Sequence, residues 1–185
     1  MQPKCEKTAK AAALSGIATL LDYPTAQYKD NIKQARALVK IVCPRSAKLL
    51  DQFAKTVSTE TLEQLEEQFT RTFDIAPLCN LYASSYIYGD ENFDRGNLMA
   101  TLSFKFKELG FDSGNELPDH LGLLLKFSTF ISTEELNELI RYCLLDPVKQ
   151  MNDCLKDCSN NPFHLLINAI FDLLKAELPG DMLHD

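Results

Sequence analysis

A chain of 185 residues is long enough to bury one sizeable core. With 45% apolar and 24% charged residues it has the balance of an ordinary globular domain, and only 7 glycines and 8 prolines favour long helices over many short strands. The formal charge of −7 argues against nucleic acid, because an acidic surface repels phosphate, and leaves a basic peptide or protein surface as a possible partner.

Near the N-terminus, Lys4, Glu6, Lys7 and Lys10 precede the apolar stretch Ala11 to Leu21. Ser15, Gly16 and Thr19 dilute that stretch and Asp22 closes it, so the expectation is no secretion signal and a cytoplasmic protein. Apolar residues then recur with a period near 3.6. Leu14, Ile17, Ala18 and Leu21 form a first helical stripe, ended by the Tyr23-Pro24 turn. Tyr28, Ile32, Ala35, Val39 and Val42 form a second, stopped before Pro44, and Ala47, Leu50, Phe53, Ala54 and Val57 a third. Ser58 or Thr59 offers an N-cap for a fourth helix carrying Leu62, Leu65, Phe69 and Phe73.

From Asp74 to Asn92 the pattern loosens into a short helix or extended loop rich in tyrosine. It returns with Leu98, Leu102, Phe106 and Leu109, and Gly110 suits the left-handed residue that ends a helix. Pro118 fits the first position of the next helix, which is apolar on two faces from Leu121 to Phe130 and is expected at the centre of the bundle. That run includes Lys126 and falls well short of the ~20 apolar residues a membrane span needs. Ser132-x-x-Glu135 reads as a capping box. Asp146-Pro147 and Asn161-Pro162 each read as an N-cap with proline at the first turn, the latter opening a last helix that Pro179 ends. No convincing alternating strand is present. The expectation is one all-α domain over residues 1–185, a bundle of about eight or nine helices without repeat or linker.

Catalytic machinery is sparse. The chain has no phosphate loop, no H-E-x-x-H and no G-x-S-x-G elbow, and only three histidines. Six cysteines without a C-x-x-C pair read as free cytoplasmic thiols. Cys154 and Cys158 share a helix face, and with Cys143 and His164 they could form a metal site. The simpler reading packs them in a stripe with Met151 and Leu155. In Glu116-Leu117-Pro118-Asp119-His120, Asp119 suits the positive end of a helix, whereas a helix start disfavours the imidazolium of His120. The row Glu60, Glu63, Glu66 and Glu67 reads as a solvated face. The cluster Asp90, Glu91 and Asp94, beside Arg95 and several tyrosines, reads more as the rim of a site able to receive arginine.

Taken in order, Leu20-Leu21-Asp22-Tyr23-Pro24, Phe73-Asp74, Leu81-Tyr82, Gly89-Asp90, Arg95-Gly96, Glu116-Leu117-Pro118-Asp119-His120 and Leu125-Lys126-Phe127 resemble the TorD/NarJ/DmsD family of redox-enzyme maturation chaperones, closest to the NarJ (nitrate reductase delta subunit) branch. The resemblance implies a TorD-like all-helical chaperone without enzymatic activity or a cofactor of its own. Its partner would be the N-terminal leader, twin-arginine or vestigial, of the apo form of a molybdopterin oxidoreductase subunit, held in the cytoplasm while cofactors are inserted. By the same match, the peptide-binding residues would be Asp119 and His120 with Pro118 and Glu116, joined by Tyr23, Tyr82, Asp90 and Arg95. The branch has glutamate where Lys126 stands here, so any role of that glutamate does not carry over. Two other classes compete with this one: a nucleotide-dependent hydrolase using Asp119 and His120, and a metal-binding helical protein built on Cys143, Cys154, Cys158 and His164.

Overall fold

The computed structural model describes residues 9–89, 92–158 and 160–178. Ten α-helical segments follow one another among them: α1 (Ala9–Ala18), α2 (Tyr28–Val42), α3 (Pro44–Val57), α4 (Leu62–Phe69), α5 (Ala83–Tyr88), α6 (Phe93–Leu109), α7 (Leu121–Phe127), α8 (Thr133–Leu139), α9 (Leu145–Leu155) and α10 (Phe163–Glu177). A 3₁₀ turn, Thr19–Leu21, prolongs α1, and a π segment, Thr70–Asp74, prolongs α4. A second π segment, Ile140–Leu144, joins α8 to α9, so the described residues form nine separate rods. They contain no strand, and their one β-bridge pairs Tyr82 with His120. The fold is all-α, as the periodicity anticipates.

Helix α10 lies against α3, α9 and α1, while α1 also packs on α2 and α7. Leu166, Ile167, Ile170, Leu173 and Leu174 of α10 are fully buried, as are Leu14 and Ile17 of α1. The centre is therefore shared by α1 and α10 with α7, rather than held by α7 alone. Leu123 is half-buried, and Phe130, beyond the end of α7 at Phe127, is exposed. Gly16 allows α1 to approach α2: a Cβ there would meet Leu38 Cδ1 at 2.7 Å. Across the α3–α10 seam, buried Asp172 takes Arg45 at 2.7 Å, and Ser46 Oγ donates to the Ala169 carbonyl at 2.7 Å. Under α4, the fully buried ring of Phe163 meets Phe53, Phe69 and Phe73 at 5.8, 5.6 and 5.2 Å.

Several local starts differ from the sequence reading. The fourth helix is capped by Thr61, not Ser58 or Thr59: Thr61 and Gln64 exchange side-chain and backbone hydrogen bonds in a capping box. Pro147 opens no separate helix. It lies inside α9, directly after the π segment, where the wider turn accommodates a residue without an N–H to donate. Cys154 is exposed, so the buried stripe of α9 is Val148, Met151 and Leu155 without it. Pro179 lies outside the described residues.

Pro118 does not start α7 either. The N–H of Leu121 bonds to the carbonyl of Leu81 at 2.8 Å, and the N–H of Ala83 to that of Asp119 at 3.0 Å. These two bonds hold His120 in an extended conformation directly after the turn at Pro118 and Asp119, so the helix begins at Leu121 with His120 as its N-cap. Asp119 is 0% exposed beneath this crossing. Its carboxylate accepts from Ser84 Oγ and lies 3.7 Å from Arg95, whose Nε donates to Ser84 Oγ at 2.9 Å. The sequence reading expects Asp119 and Arg95 to contact a peptide; the structure shows fully buried Asp119 and half-buried Arg95 tied together between α5, α6 and the start of α7.

Two stability measurements check this account. Phe163→Ala should lower the unfolding free energy by about 3–5 kcal/mol in denaturant titration, with Phe163→Leu losing less. Asp119→Ala leaves the buried Ser84 hydroxyl without its acceptor and breaks the contact with Arg95, and should cost about 2–3 kcal/mol, whereas a purely peptide-contacting carboxylate would leave stability unchanged.

Candidate functional site

The crossing of residues 81–83 with 119–121 forms one wall of a cleft of about 260 Å³. Tyr23, Tyr82, Glu116 and His120, all expected at a site, line it together. Asp22, Asp74, Phe69, Phe73 and Leu123 complete most of the wall. Pro118 is half-buried at the corner and does not line the cleft. Asp90, the remaining expected residue, lies outside the described residues.

Each side chain is placed by an identifiable local cause. Phe69 and Phe73 reach the floor from α4 and its π segment, with ring centroids 5.1 Å apart, and Tyr23 stands edge-on to Phe69 at 5.6 Å. Tyr82 is positioned by the β-bridge, its ring edge-on to the imidazole of His120 at 5.6 Å. Its phenol donates to Glu116 Oε1 at 3.1 Å, and the same oxygen accepts the Leu117 N–H at 3.0 Å. The imidazole lies back over α7 because position 122 is glycine; a Cβ there would meet His120 Cε1 and Nδ1 at 3.2 Å.

The site combines three carboxylates, Asp22, Asp74 and Glu116, with an apolar floor. Burial pushes the Asp74 carboxyl up from its ordinary pKa, His120 opposes that shift and Glu116 adds to it. Burial pushes His120 down, against the pull of Glu116 and Asp22, so its imidazole is neutral at neutral pH. Tyr82 is pushed up, first by burial and then by its bond to Glu116, and stays a neutral donor. The arrangement can receive a cation at the rim and an apolar group on the floor.

A second, more apolar groove of about 350 Å³ runs between α6 and α8, bounded by Leu98, Leu102, Phe127, Ile131 and Leu139. The Cys143, Cys154, Cys158 and His164 constellation does not assemble: among the described residues no group of three or more His, Cys, Asp or Glu side chains is placed to hold a metal ion. No helix among them is long and apolar enough to cross a membrane.

Sequence reasoning passed over Asp22, Asp74, Phe69 and Phe73 as site residues. Asp22, Phe73 and Asp74 were nevertheless in the motifs that carried the resemblance. Only the fold shows that these distant motifs meet on one wall.

Comparison with known proteins bears on this cleft. Over 91% of this chain and 94% of its own length, the crystal structure of a candidate redox enzyme maturation protein from Archaeoglobus fulgidus superposes with a TM-score of 0.61. At 18% identity that likeness is one of fold. A search of curated proteins gives no match. The family model described as nitrate reductase delta subunit matches residues 43–161, more than half of the chain, and this span holds Phe69, Phe73, Asp74, Tyr82, Glu116 and His120 of the cleft. The chain therefore belongs to the nitrate reductase delta subunit family.

Proposed function

We propose that this protein is a cytoplasmic maturation chaperone that binds the N-terminal leader, twin-arginine or vestigial, of a molybdopterin oxidoreductase subunit and holds the apo-subunit while cofactors are inserted. Family membership supports a chaperone of redox-enzyme maturation rather than a catalyst. The observation that carries leader binding is the cleft itself: Asp22, Asp74 and Glu116 surround a floor of Phe69, Phe73 and Leu123. A leader offers the complement, a guanidinium followed by an apolar segment. Guanidinium pairs with carboxylates through charge-assisted hydrogen bonds, and apolar side chains gain about 1.5–3 kcal/mol each when buried. Two or three such anchors could account for much of the ~8 kcal/mol of micromolar binding after ordering costs. The carboxylates therefore set register and charge preference, and the aromatic floor supplies holding strength. A nucleoside triphosphate would be repelled by Asp74 and Glu116, which disfavours the hydrolase reading.

Titration calorimetry with the leader peptide of the cognate subunit tests this reading. Glu116→Gln and Asp74→Asn should each weaken binding by roughly fivefold at low ionic strength, with helix content unchanged and the loss shrinking in high salt. Equal affinity of wild type and both variants would remove the cleft from consideration.

The pH dependence has a definite sign. A cationic leader needs Asp74 ionised and His120 neutral. As pH falls, His120 gains charge and Asp74, whose pKa is raised, is protonated earlier than an ordinary aspartate. Affinity should be greatest near neutral pH and decline toward acid, less steeply in Asp74→Asn. Fluorescence anisotropy of a labelled leader across that range gives the profile.

A further inference from the structure

The carboxylates of the cleft are not equivalent. Lys126, on α7, places its Nζ 2.7 and 2.8 Å from the two oxygens of Asp22. Asp22 is half exposed and Lys126 is 29% exposed, so the pair sits at the mouth rather than in the core. Glu116 is held by neutral donors alone, the Tyr82 phenol and the Leu117 N–H, both on Oε1. Among the described residues no lysine or arginine pairs with Asp74 or Glu116, and burial, with a smaller contribution from Glu116, raises the pKa of Asp74. A guanidinium gains most where it meets a carboxylate with both oxygens open to it. At Asp22 a guanidinium would have to share both oxygens with an ammonium group already in place and meet its repulsion.

We infer that Lys126 is the specificity-determining residue of the cleft: a resident cation that fills the Asp22 position and leaves Asp74 and Glu116 as the open cation subsite. This rests on the leader-binding reading and narrows its substrate class. The guest that fits carries one arginine or lysine ahead of its apolar segment, and a second adjacent arginine adds little. That second cation would either lie near Lys126 and be repelled, or displace it from Asp22, exchanging one ion pair for another.

Three short synthetic peptides decide the matter: one with adjacent arginines before an apolar run, one with a single arginine replaced by glutamine, and one with both replaced. Each is titrated calorimetrically into the full chain as wild type, Lys126→Met and Lys126→Arg. Lys126→Met keeps an apolar stem of similar length, and circular dichroism confirms equal helix content. The wild type should bind the two-arginine and one-arginine peptides within about twofold of each other and the peptide without arginine more weakly. Lys126→Met should tighten the two-arginine peptide by about fivefold, the one-arginine peptide by less, with the gain vanishing at high salt. Lys126→Arg should behave as wild type. The inference is overturned if the wild type already prefers the two-arginine peptide by roughly tenfold, or if Lys126→Met leaves the ratio of the two affinities unchanged. A wild type that binds none of the three peptides removes the leader reading itself, and this inference with it.

Discussion

The N–H of Leu121 could bond back to Leu117 and extend α7 by a turn, or bond across the molecule to the carbonyl of Leu81; it takes the second. That choice, matched by the bond from Ala83 to Asp119, is the constraint on which the cleft depends. Were the helix to begin at Pro118, His120 would lie within its first turn instead of capping it, and Tyr82 would lose the partner that sets its ring. The crossing is only one bridge long, and two backbone hydrogen bonds contribute little net stability on their own. The buried carboxylate of Asp119 reinforces it by tying Ser84 and Arg95 to the same corner. A buried ion pair is weak evidence of net stabilisation, because desolvation offsets attraction, but it strongly disfavours arrangements that separate its members. Here it disfavours the continuous helix.

The same corner divides the acidic residues by role. Asp119 lies inside and balances Arg95. Glu116, three residues earlier in the chain, lies at the surface and faces the cleft. Between them, Leu117 and Pro118 turn the backbone. Neutral His120 separates the carboxylates of the rim from the apolar interior without adding a competing positive charge. The site therefore keeps a negative mouth over an aromatic floor, and it does so although Asp74 and Glu116 repel each other. That uncompensated repulsion is tolerated because both groups remain partly hydrated.

Much of this was legible beforehand, and the failures have physical causes. Helix number and order followed from apolar spacing, because each helix buries one stripe against its neighbours and must repeat near 3.6 residues. The capping box at Ser132 and Glu135 and the left-handed Gly110 were readable because they are local in sequence. The start of α7 was not, because a long-range bond from Leu81 overrides a good local signal at Pro118. The motif order identified Tyr23, Tyr82, Glu116 and His120, which do share the cleft. Asp119, in the same motif order, is fully buried and tied to Ser84 and Arg95, because a residue type common to a family does not reveal whether its side chain faces a guest or the core. A buried tie and a binding carboxylate look alike in sequence.

The two π segments show how the chain uses irregular backbone to place side chains that a regular helix would misdirect. In an uninterrupted α-helix, Phe69 and Phe73 stack on one face and Asp74 follows only about 100° further round. The wider turn at Thr70–Asp74 closes with the N–H of Ile75 on the carbonyl of Thr70, five residues back. The outcome is that Phe73 is buried against Phe163 while the next residue, Asp74, stands exposed at the rim of the cleft. The segment at Ile140–Leu144 has another task, since it lets α8 and α9 continue as one rod through Pro147. One distortion keeps a helix whole and the other sets a carboxylate beside an aromatic floor. Excess width in a helix, normally a cost in hydrogen-bond geometry, is here concentrated where the fold needs a change of direction between adjacent residues.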